Sequence, residues 1–211
     1  MLVIGITSRA LFDLDESHKI FENEGLEAYR DYQISNENDI LNPGQAYPLV
    51  TKLLDLNKEL EGQRQVEVIL LSRNSADTGL RIFNSINHHG LDIKRAAFCG
   101  GNSPHTYAKS FGAHLFLSTE FSDCQSALRN GVAAARIIPS GIPKASESQL
   151  KIAFDGDAVI FSEESQKIFD SQGLDAFEKN EKNLAKKPLS GGPFQPFLFE
   201  IHRLQNLFSQ Q

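Results

Sequence analysis

The sequence predicts an α/β fold with a mostly parallel sheet, internally duplicated, the second copy incomplete, and three observations carry that expectation. Short apolar runs of strand length alternate with segments of helical period through the first 138 residues, the pattern of βαβ units with right-handed crossovers. Sliding the chain against itself by 148 positions aligns residues 2–56 with 150–204 without a gap. Fifteen of those 55 pairs are identical, where average residue usage would give roughly three. Finally, 211 residues that are 40% hydrophobic and 23% charged make an ordinary globular composition, with chain enough for one or two domains.

The elements follow in order. Residues 2–6 form an apolar run of strand length, and residues 66–71 form another, rich in β-branched side chains and bounded by polar residues. Between them, residues 48–60 place Leu49, Leu53, Leu56 and Leu60 at helical intervals. A second helix is expected over residues 76–88, with Leu80, Ile82, Phe83 and Ile86 inward and Gly90 ending it. Strands are expected at 96–99, 114–117 and 136–138, with helices at 106–111 and 122–135. The segment between Ser17 and Pro48, like its counterpart between Ser165 and Pro196, holds one amphipathic helix and a polar stretch. Its charges read as a solvated face, with a small cap over a site as the alternative.

The repeat is densest where Glu16-Ser17-His18-Lys19-Ile20-Phe21 falls on Glu164-Ser165-Gln166-Lys167-Ile168-Phe169, followed by Gly25-Leu26 on Gly173-Leu174. Gly44 falls on Gly192 and Pro48 on Pro196, so turn chemistry recurs with the apolar pattern. The expected organisation is one unit over residues 1–147 and the start of a second over 148–211. By the offset, Gln211 matches position 63, and the second unit is expected to lack a counterpart of residues 64–148.

Lys and Arg number 21 against 27 Asp and Glu, a net charge of −6 that argues against gripping a nucleic acid polymer or an anionic membrane through bulk charge. Cys99 and Cys124 have no ligand spacing and read as reduced thiols of a cytosolic protein. The apolar start lacks a basic flank and is too short for a signal segment, and no run reaches membrane-helix length.

In α/β sheets ligands sit at the carboxyl ends of the strands, so the residues after each strand are the candidates for chemistry. The sharpest is Ile152-Ala153-Phe154-Asp155-Gly156-Asp157-Ala158-Val159, where Asp155 is expected to follow a strand and Asp157, two residues on, to point to the same side. Such a pair suits phosphoryl transfer: one carboxylate attacks phosphorus, the other protonates the leaving oxygen and later activates water. Mg²⁺ is the cation expected to offset the repulsion between carboxylates and phosphate. The plainer reading of Asp-Gly-Asp is a solvated turn. An EF-hand is excluded by Val159 and Ile160 at its fifth and sixth positions.

In copy one the two positions are Thr7 and Arg9, which cannot repeat that chemistry. Arg9 is read as a phosphate clamp, as the partner of a carboxylate across the interface between copies, or as a structural salt bridge. Ser72 and Asn74, after the strand at 66–71, either hold an anion or cap the next helix. Gly100-Gly101-Asn102 sits between a strand and a helix, where backbone N–H groups suit a phosphate, although Walker and dinucleotide spacings are absent. His88-His89 read as a helix end rather than metal ligands.

These residues also carry a resemblance. Ser8-Arg9-Ala10-Leu11-Phe12, Pro43-Gly44, Asn84-Ser85-Ile86-Asn87-His88, Gly100-Gly101-Asn102-Ser103-Pro104 and Ala153-Phe154-Asp155-Gly156-Asp157-Ala158-Val159, in this order, resemble the cytosolic class I 5'-nucleotidases of the haloacid dehalogenase (HAD) superfamily. The resemblance implies a HAD-like, Rossmann-type sheet and hydrolysis of nucleoside 5'-monophosphates, AMP foremost. It implies Asp155 as nucleophile and Mg²⁺ ligand, and Asp157 as general acid/base that also binds the metal. The resemblance places the superfamily's phosphate-holding Ser/Thr, its Lys and its acidic pair in a stretch by which the family usually continues past the position of Gln211, so no counterpart of them is expected in the second copy. In copy one Ser72 matches the hydroxyl position and Lys109 the cationic one, while Ser118-Thr119 stands where the acidic pair is expected. Copy one thus resembles a degenerate HAD-type domain. A non-catalytic nucleotide or phosphate binder is the alternative, and a homo-oligomer or complementing chain is a third expectation, since an incomplete sheet leaves an open edge.

Overall fold

A strand without a polar side chain is stable only where both its faces are covered. Leu2–Ile6 forms β1 at the centre of a five-stranded sheet, with all five residues buried. The computed structural model describes residues 1–60, 64–138, 149–155, 168, 171–184 and 192–209. Among these, β2 (Val66–Ser72), β3 (Arg95–Phe98), β4 (Leu115–Ser118) and β5 (Ala134–Arg136) complete the sheet in the order β3-β2-β1-β4-β5. All pairings are parallel; β1 aligns Leu2 with Val66 and Ile6 with Leu70 on one side, and Ile4 with Leu115 on the other.

The helices are α1 (Ser8–Leu11), α2 (Asp15–Ser35), α3 (Tyr47–Glu59), α4 (Leu80–His88), α5 (His105–Ser110), α6 (Phe121–Arg129), α7 (Leu174–Leu184) and α8 (Gln195–Phe208). Strand alternation divides the core between the sheet's two faces. Leu2, Ile4 and Ile6 of β1 and Val68 and Leu70 of β2 meet Val50 and Leu53 of α3, Ile82 and Ile86 of α4, and Phe197 and Leu204 of α8. Val3, Ile69, Leu71 and Phe116 face the other way, onto Ala108 of α5 and Cys124 and Ala127 of α6.

Several boundaries differ from the sequence reading. The helix expected over 122–135 stops at Arg129 because Gly131, at φ 76°, turns the chain into β5. That strand occupies Ala134–Arg136; Ile137 and Ile138, whose branching suggested a strand, follow it. α4 starts four residues later than expected, and Leu80, expected inward, is exposed, whereas Ile82 and Ile86 are buried. Gly90 does end that helix, at φ 64°. His89 seals the same end: its Nε2 lies 2.9 Å from the Leu41 carbonyl and its ring stacks on Phe12 at 5.7 Å.

The strand expected before Asp155 is absent: residues 149–155 form no strand and join no sheet. Leu150 and Phe154 instead pack as side chains against the α3 face of the core, with the Phe154 ring 6.0 Å from that of Phe197. A strand needs a hydrogen-bonded neighbour, and the described sheet is built entirely from residues 2–136. Asp157 lies outside the described residues.

Two local features lend themselves to measurement. A Cβ at Gly44 would meet the backbone of Phe12 at 2.8 Å, and the Gly44 amide already donates to the Leu11 carbonyl. Gly44→Ala is expected to lower stability by about 1–3 kcal/mol in urea unfolding, because backbone cannot step aside. Gly5→Ala, whose nearest obstacle is the movable Leu71 Cδ1 at 2.9 Å, is expected to cost less. The second feature is His114, whose Nδ1 accepts the Val3 N–H at 3.0 Å. Burial holds its imidazole below the usual histidine range. The unfolded chain therefore takes up this proton first, and stability is expected to fall as pH drops below about 6.5. His114→Gln should flatten that part of a stability profile measured between pH 7.5 and 5.5.

Candidate functional site

Parallel strands bring their carboxyl ends to one edge, and β1 and β4 are neighbours on that edge whose connections leave in opposite directions. A cavity of about 740 Å³ opens there. Its floor is made by the residues that follow β1 (Thr7, Ser8, Arg9), β2 (Arg73, Asn74) and β4 (Thr119, Glu120). The Gly100-Gly101 turn after β3 closes one side.

The wall is α2, which contributes Ser17, His18, Phe21, Glu22, Tyr29 and Arg30. The segment after β1 therefore lies over the cavity as a cap, the alternative to a purely solvated face. Gly25, at φ 88°, breaks α2 in the middle and redirects its two halves. The second half is fastened by side chains: Arg30 Nε donates to Asp77 Oδ2 at 2.6 Å, and Tyr29 donates to Asn74 Oδ1 at 3.1 Å. Burial raises the Tyr29 phenol above its usual range, so it stays a neutral donor. On the first half, the Phe21 ring lies 6.0 Å from that of Tyr29, edge to face, and stays half exposed.

The expected site residues fare differently. Arg9, Asn74, Gly100 and Gly101 line the cavity. Ser72 is fully buried beneath it, 3.0 Å from the Ser8 hydroxyl and accepting the Asn74 N–H. Asn102 is turned away, its amide donating to the Cys99 carbonyl at 3.1 Å. The glycine amides do not face the cavity as a phosphate cradle: Gly100 N–H donates to Asn74 O at 3.1 Å and Gly101 N–H to Arg73 O at 2.6 Å. Arg9 pairs within its own unit, with Glu120 at 3.2 Å and Asp15 at 3.6 Å. Lys109 is exposed and does not line the cavity.

Sequence reasoning missed three participants. Asp123, almost fully buried, takes a two-pronged ion pair from Arg73, at 2.5 and 3.2 Å, and a hydrogen bond from Ser103. Its place in the first turn after β4 was the available signal. Thr7 Oγ1 and Thr119 Oγ1 are buried and have no hydrogen-bond partner, and nothing in the sequence marks a hydroxyl as unpartnered. Cys99 and Cys124 are free and buried, with thiols pushed up by burial, which makes them inert.

Asp155 is exposed and is not among the residues that line the cavity. A Mg²⁺ site gathers several hard oxygens in octahedral array. Among the described residues no three His, Cys, Asp or Glu side chains come together as such a site. Among the same residues, no helix is long and apolar enough to cross a membrane.

With this geometry in hand, comparison with known proteins is informative. The family model described as 5'-nucleotidase matches residues 1–211. Human cytosolic 5'-nucleotidase 1B is 38% identical over 98% of the chain, and the chain spans 35% of that relative's length. No solved structure matches. A match along the whole chain, through both the cavity and the Asp155 run, shows that the chain belongs to the 5'-nucleotidase family.

Proposed function

We propose that this chain contributes to hydrolysis of nucleoside 5'-monophosphates, AMP foremost, to nucleoside and phosphate, with the chemistry carried by Asp155 and Asp157. The observation that carries the reading is the family match over residues 1–211, within which the Asp-Gly-Asp run holds the closely spaced carboxylates Asp155 and Asp157. Asp155 Oδ attacks phosphorus as the bond to the 5'-oxygen breaks, and Asp157 gives that oxygen its proton. Water then attacks the acyl phosphate, Asp157 takes the water's proton, and phosphate leaves with Asp155 restored. Both steps are written with the protein's own groups. Mg²⁺ suits the hard oxygens of this pair, but the described residues do not form its site.

The division into residues 1–147 and 148–211 belongs to the same reading. It is supported by local geometry at the offset of 148. Gly25 and Gly173 have φ of 88° and 80°, and α3 and α8 begin at Tyr47 and Gln195, each with Pro at its first turn. On that alignment Thr7 and Arg9 occupy the Asp155 and Asp157 positions of the first unit, which assigns binding there and chemistry to the second.

The test is phosphate release from AMP with Mg²⁺, comparing the native protein with Asp155→Asn and Asp157→Asn. Native release is expected, with a loss on the order of a thousandfold or more in Asp155→Asn, the size seen when a covalent nucleophile is removed. Equal release by the Asp155→Asn protein, or no release by the native protein, would overturn the proposal.

A further inference from the structure

We propose that the cavity between β1, β4 and α2 is a second ligand site, distinct from Asp155, and that it takes a nucleoside. Its location is the topological switch of the sheet, where connections leave β1 and β4 in opposite directions and a crevice must open. Its volume, about 740 Å³, is that of a small-molecule pocket. Two side chains at this cavity point to a ligand. Thr7, 8% exposed, and Thr119 each hold a buried hydroxyl with no partner, and both line the cavity, Thr7 after β1 and Thr119 after β4. Buried polar atoms without partners are costly and uncommon in native proteins; both hydroxyls lie just beneath the cavity surface, and a turn of each side chain about χ1 would bring its hydroxyl to a ligand.

The charges select the ligand's class. Three arginines line the cavity against five carboxylates, and each arginine already faces one of them: Arg9 with Glu120 at 3.2 Å, Arg30 with Asp77 at 2.6 Å and Arg73 with Asp123 at 2.5 Å. The Gly100 and Gly101 amides are engaged by backbone carbonyls, and α1 is one turn long. Each arginine's charge is thus already offset by a carboxylate, and the excess of carboxylates repels a phosphate dianion. Unpartnered hydroxyls and carboxylates instead suit sugar hydroxyl groups as donors and acceptors.

The wall supplies the rest. Phe21 and Leu26, 46% and 64% exposed, face the cavity beside Tyr29, and an apolar aromatic surface of this kind suits a planar base. A ring that stacks and a sugar that hydrogen-bonds make an uncharged nucleoside, the product of the proposed reaction. The choice of nucleoside among hydroxyl-bearing ring compounds rests on that proposed reaction.

The experiment is calorimetric titration of the 211-residue chain with adenosine, uridine, AMP and inorganic phosphate. Saturable binding of a nucleoside is expected, with AMP no tighter and phosphate not competing. Thr7→Val should weaken the nucleoside about tenfold, the worth of one buried hydrogen bond, without lowering the melting temperature of the free protein. Phe21→Ala, at a half-exposed position outside the core, should also weaken it, and Asp155→Asn should leave it unchanged. The proposal is overturned if neither nucleoside binds, if phosphate displaces it, if Thr7→Val binds as the native chain does, or if Asp155→Asn abolishes binding. Failure of the hydrolysis reading would appear instead in phosphate release, an independent readout.

Discussion

The structure depends on the central position of β1. Its five residues carry no polar side chain and are paired in parallel on both sides, so they can exist only as the middle of a covered sheet. That placement forces the chain to leave β1 at the carboxyl edge, directly beside the ends of β2 and β4. Thr7, Ser8 and Arg9 therefore become the floor of the cavity whatever their own preferences. The buried Ser8–Ser72 hydroxyl contact at 3.0 Å ties the ends of β1 and β2 together just below that floor.

The same constraint explains how later parts of the chain reach the sheet. The α3 face of the sheet is wider than α3 and α4 can cover, and Phe197 and Leu204 of α8 complete it. The contact is also polar: the Met1 amino group lies 3.2 Å from Glu200, and Arg203 donates to Gln65 at 2.7 Å. Phe154 packs against Phe197 in the same layer, which holds the approach to Asp155 on the α3 face while the cavity opens at the strand ends. The proposed reading puts binding and chemistry at different places on one framework.

Much of the fold was legible because its signals are local. Apolar runs gave β1 and β2, helical spacing gave α3, and Gly90 marked the end of α4. Where the reading went astray, a longer-range effect decided. Gly131 cut α6 short, and β5 formed where the chain returns to β4, earlier than Ile137 and Ile138 suggested. The residues before Asp155 have the composition of a strand but no hydrogen-bonding neighbour in the described sheet. The cavity was legible only as an edge: the rule about strand ends found Arg9, Asn74 and the Gly100 turn. The unpartnered state of Thr7 and Thr119, and the Arg73–Asp123 pair, are products of packing between residues roughly fifty to a hundred positions apart.

The central claim is that phosphoryl chemistry belongs to Asp155 while the cavity at the strand ends binds without reacting. Its most direct test is to quench the protein during turnover of AMP, reduce any acyl phosphate with borohydride, and locate the altered residue by mass spectrometry. The account expects modification at Asp155 and none in residues 1–138. A modified carboxylate lining the cavity, such as Asp123 or Glu120, with Asp155 untouched, would contradict it.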